Sequence, residues 1–205
     1  MRKYDLLLVG VGGQGVVLAS NILSDAALAE GYDVKKTDSL GMAQRGGSVI
    51  SHVRLADKVF SPLVKDGGVD IMVAFEKLEA ARWSRYLKPG GLIIVNNLSV
   101  PPLSVSLGFN QYPSDSEVMG VIKQRTDNIH LIDGSRCETE LGQARLLNSF
   151  MLGYTSLFLP IKVETFKDLI SQRMPPKILP INLKAFERGR KEVPLPGEID
   201  NEIRG

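Results

Sequence analysis

Cysteine is almost absent from this chain, in which Cys137 is the only one among 205 residues. A single cysteine cannot form an internal disulfide, and an iron–sulfur cluster usually requires four thiolates. The only histidines are His52 and His130, which leaves too few ligands for a dedicated zinc site. We therefore expect no cofactor on this chain, and any redox chemistry must use a cofactor carried by another protein.

Long apolar runs and an excess of one charge are also lacking. No run of about 18 or more apolar residues occurs, and no signal-peptide pattern follows Met1. The 25 basic and 23 acidic residues are well mixed and give a net charge of +2. We therefore expect a cytoplasmic protein with neither a nucleic acid nor a membrane as its partner.

The pattern that is present alternates strand-like and helix-like segments, which is typical of a mostly parallel sheet. Strands are predicted near residues 5–10, 32–37, 48–55, 69–75, 92–95 and 129–133; helices are predicted near 14–30, 76–86, 115–124, 143–159, 163–172 and 178–190. The predicted fold class is α/β, a single Rossmann-like three-layer domain over residues 1–190. Its C-terminal part, from about residue 135, is helical, and residues 191–205 form an extended or disordered tail.

Three connecting features accompany these elements. Gly31 is placed to end the first helix, since glycine adopts a left-handed backbone at low cost. Residues 88–91, Lys-Pro-Gly-Gly, predict a turn, and residues 97–114, rich in Pro, Ser and Gly, predict a long surface excursion. The helix at 143–159 is apolar nearly all round, so it is buried either within this chain or against a partner.

The first candidate site is the glycine motif that follows the first strand, Gly10, Gly12, Gly13, Gln14 and Gly15. It fits G-x-G-x-x-G between a strand and a helix, where the helix N-terminus offers free N–H groups to a phosphate. The acidic residue expected at the end of the second strand is poorly matched, because Asp38 lies slightly late. The motif therefore indicates either a dinucleotide site or a tight structural turn that contacts another subunit.

The second candidate site is the loop that carries Arg45, Gly46 and Gly47. An arginine between glycines beyond the end of a strand lies where open α/β sheets bind ligands. Its guanidinium has the geometry to hold a carboxylate or phosphate through two hydrogen bonds. The alternative is a solvated loop arginine without a ligand.

Other possible sites are less well supported by their patterns. Asp66-Gly67, followed by Asn96-Asn97, only partly matches a thiamine-diphosphate motif, because Lys65 stands where a glycine is expected. Arg136 next to Cys137 would favour a reactive thiolate, but no motif links a histidine to it, so a structural cysteine is the preferred interpretation. His52 and His130 are interpreted as packed or surface residues and not as general bases.

With both glycine loops located, the chain resembles the γ-type subunit or domain of 2-oxoacid:ferredoxin oxidoreductases over roughly residues 4–190. The marks of the resemblance are the turn at 10–15, the loop at 45–48, the turn at 88–91, and Asn148, Gly153, Glu164, Asn182, Phe186 and Gly189. The sequence Gly-Met-Ala-Gln-Arg-Gly-Gly-Ser at 41–48 is most similar to the β subunit of the indolepyruvate branch. Pyruvate and 2-oxoglutarate relatives more often carry Glu-Ala or a similar pair before Arg-Gly-Gly.

The resemblance implies a reaction that belongs to a complex. A 2-oxoacid is decarboxylated on thiamine diphosphate, electrons pass through [4Fe–4S] clusters to ferredoxin, and coenzyme A (CoA) takes the acyl group. A large partner subunit carries the thiamine diphosphate and the clusters, so this chain is expected to be inactive alone. The residues at 10–15 would supply backbone N–H contacts and Arg45 would hold an anion, unless both loops only form subunit contacts.

Two other interpretations of the chain stay open. In the first, the chain is a stand-alone Rossmann-like nucleotide-binding protein, such as a small dehydrogenase or a flavin binder. In the second, it is a purely architectural partner. The poorly placed Asp38 predicts no appreciable affinity for NAD(H), and a bound flavin would be visible in the absorption spectrum.

Overall fold

A mixed six-stranded sheet lies at the centre of the fold in a computed structural model, which describes residues 3–40, 46–142 and 145–195. The strands are β1 (Tyr4–Val11), β2 (Asp33–Leu40), β3 (Ser48–Ala56), β4 (Val69–Ala74), β5 (Leu87–Asn96) and β6 (Ile129–Ile132). Their order is β2-β3-β1-β4-β5-β6. β1, β4, β5 and β6 are parallel, whereas β3 runs antiparallel between β1 and β2. The predicted α/β class with a mostly parallel sheet is confirmed.

Helices cover both faces of the sheet. They are α1 (Val16–Ala29), α2 (Lys77–Trp83), α3 (Leu103–Ser106), α4 (Asp115–Lys123), α5 (Gly134–Leu141), α6 (Leu147–Thr155), α7 (Val163–Arg173) and α8 (Leu179–Arg190), with short 3₁₀ turns at Ser84–Tyr86 and Ser156–Phe158. One face packs against α1 and the C-terminal helices α6, α7 and α8. The other face packs against α2 and α4. The three layers explain the uninterrupted apolar runs at 6–9 in β1, 71–74 in β4 and 92–95 in β5, because both faces of the sheet are covered there.

Two local details differ from the predictions. Residues 88–91 do not form a free turn but lie within β5, where Val69 pairs with Leu87 and Ile71 pairs with Leu92, so the residues between them form a bulge. The chain from about residue 135 was predicted to be helical, but no individual helix was predicted at α5, because its sequence is polar and only Gly134 and Cys137 are buried in it. The side chain of Asp133 caps this helix by accepting the backbone N–H groups of its first turn.

The crossing of α6 and α8 is very close. A Cβ atom added at Gly153 would lie 2.0 Å from the carbonyl oxygen of Phe186, and one added at Gly189 would lie 2.0 Å from that of Phe150. All nine residues of α6 are buried. The apolar helix predicted near 143–159 is therefore buried within this chain, which decides between the two alternatives.

The chain leaves the last helix along the outer side of β6. Residues 192–195 form neither helix nor strand, and the Leu195 N–H donates to the Leu131 carbonyl at 2.7 Å. The remainder of the predicted tail, 196–205, lies outside the described residues, so the domain boundaries stay a prediction.

Candidate functional site

The two glycine loops meet where β1 ends and β3 begins. We call this side of the sheet, at which β1, β4, β5 and β6 end, the carboxyl end. The Gly12 N–H donates to the Gly47 carbonyl at 2.8 Å, and the Gly46 N–H donates to the Gly12 carbonyl at 3.4 Å. The structure thus brings together the candidates Gly12, Gly46 and Gly47. Arg45, the predicted anion ligand, lies outside the described residues.

Gln14 fastens the first glycine turn to the neighbouring strand. Its side-chain oxygen accepts the Val11 N–H at 2.7 Å, and its side-chain nitrogen donates to the Phe75 carbonyl at 3.2 Å. The side chain of this candidate residue therefore holds the turn in place. Gly10 lies beneath it, and an added Cβ there would stand 2.7 Å from the Gln14 Oε1 atom and 2.9 Å from the Phe75 Cβ atom.

The exposed part of the turn is made of glycine backbone. Gly13 and Gly15 have φ values of 106° and 81°, which favour glycine, and a Cβ at Gly13 would meet nothing within 4 Å. Gly15 is the N-cap of α1 and no side chain caps this helix, so its first-turn N–H groups are available to an anion.

Asn148 was noted in the sequence only as part of the family resemblance, but it adjoins the glycine turn. It is buried, and a Cβ at Gly15 would lie 3.0 Å from the Asn148 Cβ atom. The Asn148 side-chain oxygen accepts the Ser149 N–H at 2.8 Å. Because Gly15 at the start of α1 lies against Asn148 of α6, the C-terminal helices support the start of α1.

A second polar link runs across the carboxyl end. Asn96 donates from its side-chain nitrogen to the Phe75 carbonyl at 3.1 Å, and its side-chain oxygen accepts the Gly134 N–H at 2.8 Å. The ends of β4, β5 and β6 are thereby connected. Asp66 precedes β4 and lies at the opposite end of the sheet, so the partial thiamine-diphosphate motif is not assembled into one site.

Glu79 supports the second glycine loop from α2. Its buried carboxylate accepts the Ser48 hydroxyl, pairs with Arg82 and accepts the Trp83 indole N–H at 3.1 Å. Ser48 directly follows Gly47, so the position of that loop depends on this cluster. The sequence offers one signal for it, an acidic residue in the first turn of a helix that follows a buried strand.

Asp38, the expected ribose ligand of a dinucleotide site, already has two partners. One carboxylate oxygen accepts the Ser51 hydroxyl at 2.6 Å, and the other pairs with Lys36. A ribose would have to share the carboxylate with both partners.

The two histidines and Cys137 lie in packed surroundings. The His52 Nδ1 atom accepts the Val64 N–H at 3.3 Å, and burial, with Arg54 nearby, lowers its pKa. His130 is hydrogen-bonded to the Tyr154 hydroxyl at 2.8 Å, and burial lowers its pKa too. Burial raises the pKa of the Cys137 thiol to about 11, which opposes formation of a reactive thiolate.

Neither a metal centre nor a membrane span is found in the part of the chain that the structure describes. No three His, Cys, Asp or Glu side chains there are grouped so as to hold a metal ion. None of the described helices has the length and apolar character needed to cross a membrane.

Comparison with known proteins identifies the family. Residues 5–192 match the family model described as pyruvate ferredoxin/flavodoxin oxidoreductase. The chain belongs to this family. The resemblance to γ-type subunits of 2-oxoacid:ferredoxin oxidoreductases, predicted from the two glycine loops, is thereby confirmed.

Curated relatives match over nearly the full length. The chain is 37% identical to indolepyruvate oxidoreductase subunit IorB of Pyrococcus horikoshii, over 93% of this chain and 96% of that protein. It is 36% identical to subunit IorB of Thermococcus kodakarensis, with the same shares covered. Subunit KorC of 2-oxoglutarate synthase from Methanothermobacter marburgensis is 28% identical over the same shares.

Solved structures share the fold at low identity. The γ subunit of a keto/oxoacid ferredoxin oxidoreductase from Geobacter sulfurreducens gives a TM-score of 0.65 at 23% identity, covering 92% of this chain and 96% of that one. The 2-oxoglutarate:ferredoxin oxidoreductase of Magnetococcus marinus, solved with 2-oxoglutarate, coenzyme A and succinyl-CoA bound, gives a TM-score of 0.71 at 18% identity. That match covers 93% of this chain but 31% of the other, so the same fold is there part of a much longer polypeptide.

Proposed function

We propose that this chain is the small subunit of an indolepyruvate:ferredoxin oxidoreductase. The complex oxidatively decarboxylates a 2-oxoacid to an acyl-CoA and passes the electrons to ferredoxin. Thiamine diphosphate and [4Fe–4S] clusters are carried by a large partner subunit, because this chain has one cysteine and no assembled thiamine motif. The present chain completes the complex by binding to this large subunit.

The observation that carries the choice of branch is the difference in identity among the relatives. Subunits named for indolepyruvate range from 30% to 37%, whereas subunits named for 2-oxoglutarate reach 28% and 29% over a similar length. The loop at 41–48, Gly-Met-Ala-Gln-Arg-Gly-Gly-Ser, favours the same branch.

We propose that the carboxyl end of the sheet is the surface through which this chain contributes to the active complex. Gly12 and Gly47 are fastened to each other there, and the uncapped start of α1 adjoins them. We propose that the backbone of this turn, with Arg45, contacts an anionic group of the bound substrate or of CoA. The alternative of a stand-alone NAD-binding protein is less favoured, because Asp38 is engaged by Ser51 and Lys36.

An anaerobic assay tests the proposal. Indolepyruvate- and CoA-dependent reduction of a viologen dye is measured for the chain alone, for the large subunit alone and for the two co-expressed. We expect activity only from the pair, because the reacting cofactors and the completed site lie on different chains. Parallel assays with pyruvate and 2-oxoglutarate test the branch.

Two results would contradict the proposal. If the large subunit were equally active without this chain, the chain would have no role in the reaction. Absence of both activity and a stable complex would favour the independent nucleotide binder, which calorimetry with NAD(H) and the absorption spectrum of the purified chain would then examine.

A further inference from the structure

The excursion between β5 and α4 has an unusual composition. Residues 97–114 contain no Asp, Glu, Lys, Arg or His, although 23% of the whole chain is charged. Depletion of charge together with large apolar side chains distinguishes the centre of a protein–protein interface from ordinary surface. A connection exposed only to water has no physical reason to exclude charge over such a length.

The middle of the excursion displays three large apolar side chains, which we call the apolar tip: Leu103, Leu107 and Phe109. Their exposed fractions are 73%, 59% and 77%. No residue of α3, from which the tip extends, is buried. Leu103 and Leu107 are four residues apart and so lie on the same side of the helical turn.

The backbone of the tip is internally ordered. The Leu107 N–H donates to the Leu103 carbonyl at 2.9 Å, and the Phe109 N–H donates to the Ser104 carbonyl at 2.9 Å. Gly108 lies between them with a φ of 77° and lets the chain reverse. The three side chains are therefore presented by a formed turn, which lowers the ordering cost of binding.

Both ends of the excursion are hydrogen-bonded to the same buried carboxylate. Glu76 is 1% exposed; one of its oxygens accepts the Val100 N–H at 3.1 Å and the Tyr112 hydroxyl. Its other oxygen caps α2 by accepting the Glu79 N–H at 2.8 Å. Burial and the contact with Glu76 raise the pKa of Tyr112, so the phenol stays protonated and continues to donate.

We propose that the apolar tip docks into an apolar recess on the large, cofactor-carrying subunit. This inference rests on the proposed function and adds to it the position of a main contact between the subunits. The tip follows β5, and the excursion that carries it is hydrogen-bonded to Glu76, just after β4. The tip therefore lies at the carboxyl end together with the two glycine loops. Docking there orients those loops toward the partner.

The composition and shape of the tip argue for this occupant over two others. Attachment to a membrane surface normally combines apolar side chains with lysine or arginine, and residues 97–114 contain neither. In a tip-to-tip pair of two copies, each copy would bury the three apolar side chains of its tip. Three such side chains supply only part of the roughly 800 Å² that each partner buries in a stable interface.

A binding experiment with matched variants tests the tip. The chain carrying Phe109→Glu, Leu107→Ser or Phe60→Glu is titrated against the purified large subunit under anaerobic conditions, and the dissociation constant is measured. Phe60 is the control because its side chain is 88% exposed and lies between β3 and β4, at the opposite end of the sheet. Thermal melting of each variant alone verifies that it is folded.

We expect Phe109→Glu to weaken binding at least about 30-fold, the effect of losing an interface hot spot, and Leu107→Ser to weaken it less. Phe60→Glu should bind within about twofold of the unaltered chain. Binding by both tip variants at unaltered strength overturns the docking proposal, as does a homodimer of the unaltered chain that Phe109→Glu dissolves. Failure of the unaltered chain to bind the large subunit overturns the proposed function as well, so the two failures are distinguishable.

Discussion

Single polar side chains hold the backbone of the carboxyl end in place, and Gln14 does so through two hydrogen bonds to the main chain. It occupies the N–H of Val11 and the carbonyl of Phe75, two groups on neighbouring strands. Removing the Gln14 side chain takes away the acceptor of the Val11 N–H, whereas the Phe75 carbonyl keeps its hydrogen bond from Asn96. An N–H group that loses its partner while shielded from water destabilises the fold. The first glycine motif therefore includes a residue whose chemistry serves the turn.

Replacing Gln14 by alanine should lower the free energy of unfolding by about 1–3 kcal/mol. Urea denaturation followed by the fluorescence of Trp83 measures the change. The matched control is Gln124→Ala, an exposed glutamine at the end of α4, which should alter stability by no more than about 0.5 kcal/mol. Equal effects at the two positions would show that the contacts of Gln14 do not stabilise the turn.

At the scale of elements, the packing of α6 on α8 depends on two residues without side chains. Gly153→Ala or Gly189→Ala would place a methyl group against a backbone carbonyl at 2.0 Å. The helices would have to separate, and we expect a loss of at least about 3 kcal/mol in unfolding free energy. A chemical denaturation curve for each variant gives this value.

Gly120, in the middle of α4, provides the control for that measurement. A Cβ there would meet nothing within 4 Å, and alanine is the better helix former by about 1 kcal/mol. Gly120→Ala should therefore stabilise the chain. If all three alanine variants were more stable than the unaltered chain, helix propensity would outweigh the close crossing and contradict the prediction.

The elements that could be predicted from the sequence are those with a strong local pattern. β1 and β4 contain continuous apolar runs at 6–9 and 71–74, and α1 has both helical spacing and Gly31 just past its end. Helix α5 lacks an apolar stripe and depends on the Asp133 cap, and the bulge at 88–91 resembles a turn locally because it contains two glycines. The antiparallel direction of β3 has no local signal, since it is set by which strands it pairs with.

The candidate site could be predicted only in part for a similar reason. The glycines are visible as motifs, and the meeting of Gly12 with Gly47 follows from the pairing of β1 with β3. The supporting residues Glu79 and Asn148 come from distant segments. Their position depends on tertiary packing, which no short pattern in the sequence encodes.

In the molecule as a whole, the N- and C-terminal halves share one apolar core. Leu6 and Leu8 of β1 pack in the same cluster as Phe150 of α6 and Phe186 of α8, while Leu7 and Val9 pack on the opposite face. Neither layer of helices can be removed without exposing the same strands to water. We therefore expect the helical C-terminal part to fold as one unit with the sheet.

Unfolding should consequently occur in one transition at both faces. Trp83, the single tryptophan, packs against the α2 side, whereas circular dichroism is dominated by the longer helices on the other side. We expect the two signals to give the same midpoint in urea. A separate, earlier loss of helix signal would contradict a single domain over 1–190 and place a boundary before the C-terminal helices.

The attachment of the apolar tip through Glu76 has a consequence for how such subunits diverge. Under the docking proposal, fold and partner choice depend on different residues, because both ends of the excursion are held by a buried carboxylate while no residue of α3 is buried. Substitutions at the tip are nearly neutral for folding, so selection acts on them almost entirely through the partner. Under that proposal, the fit of the tip to its partner can change through a few exposed positions, with the core sequence unchanged.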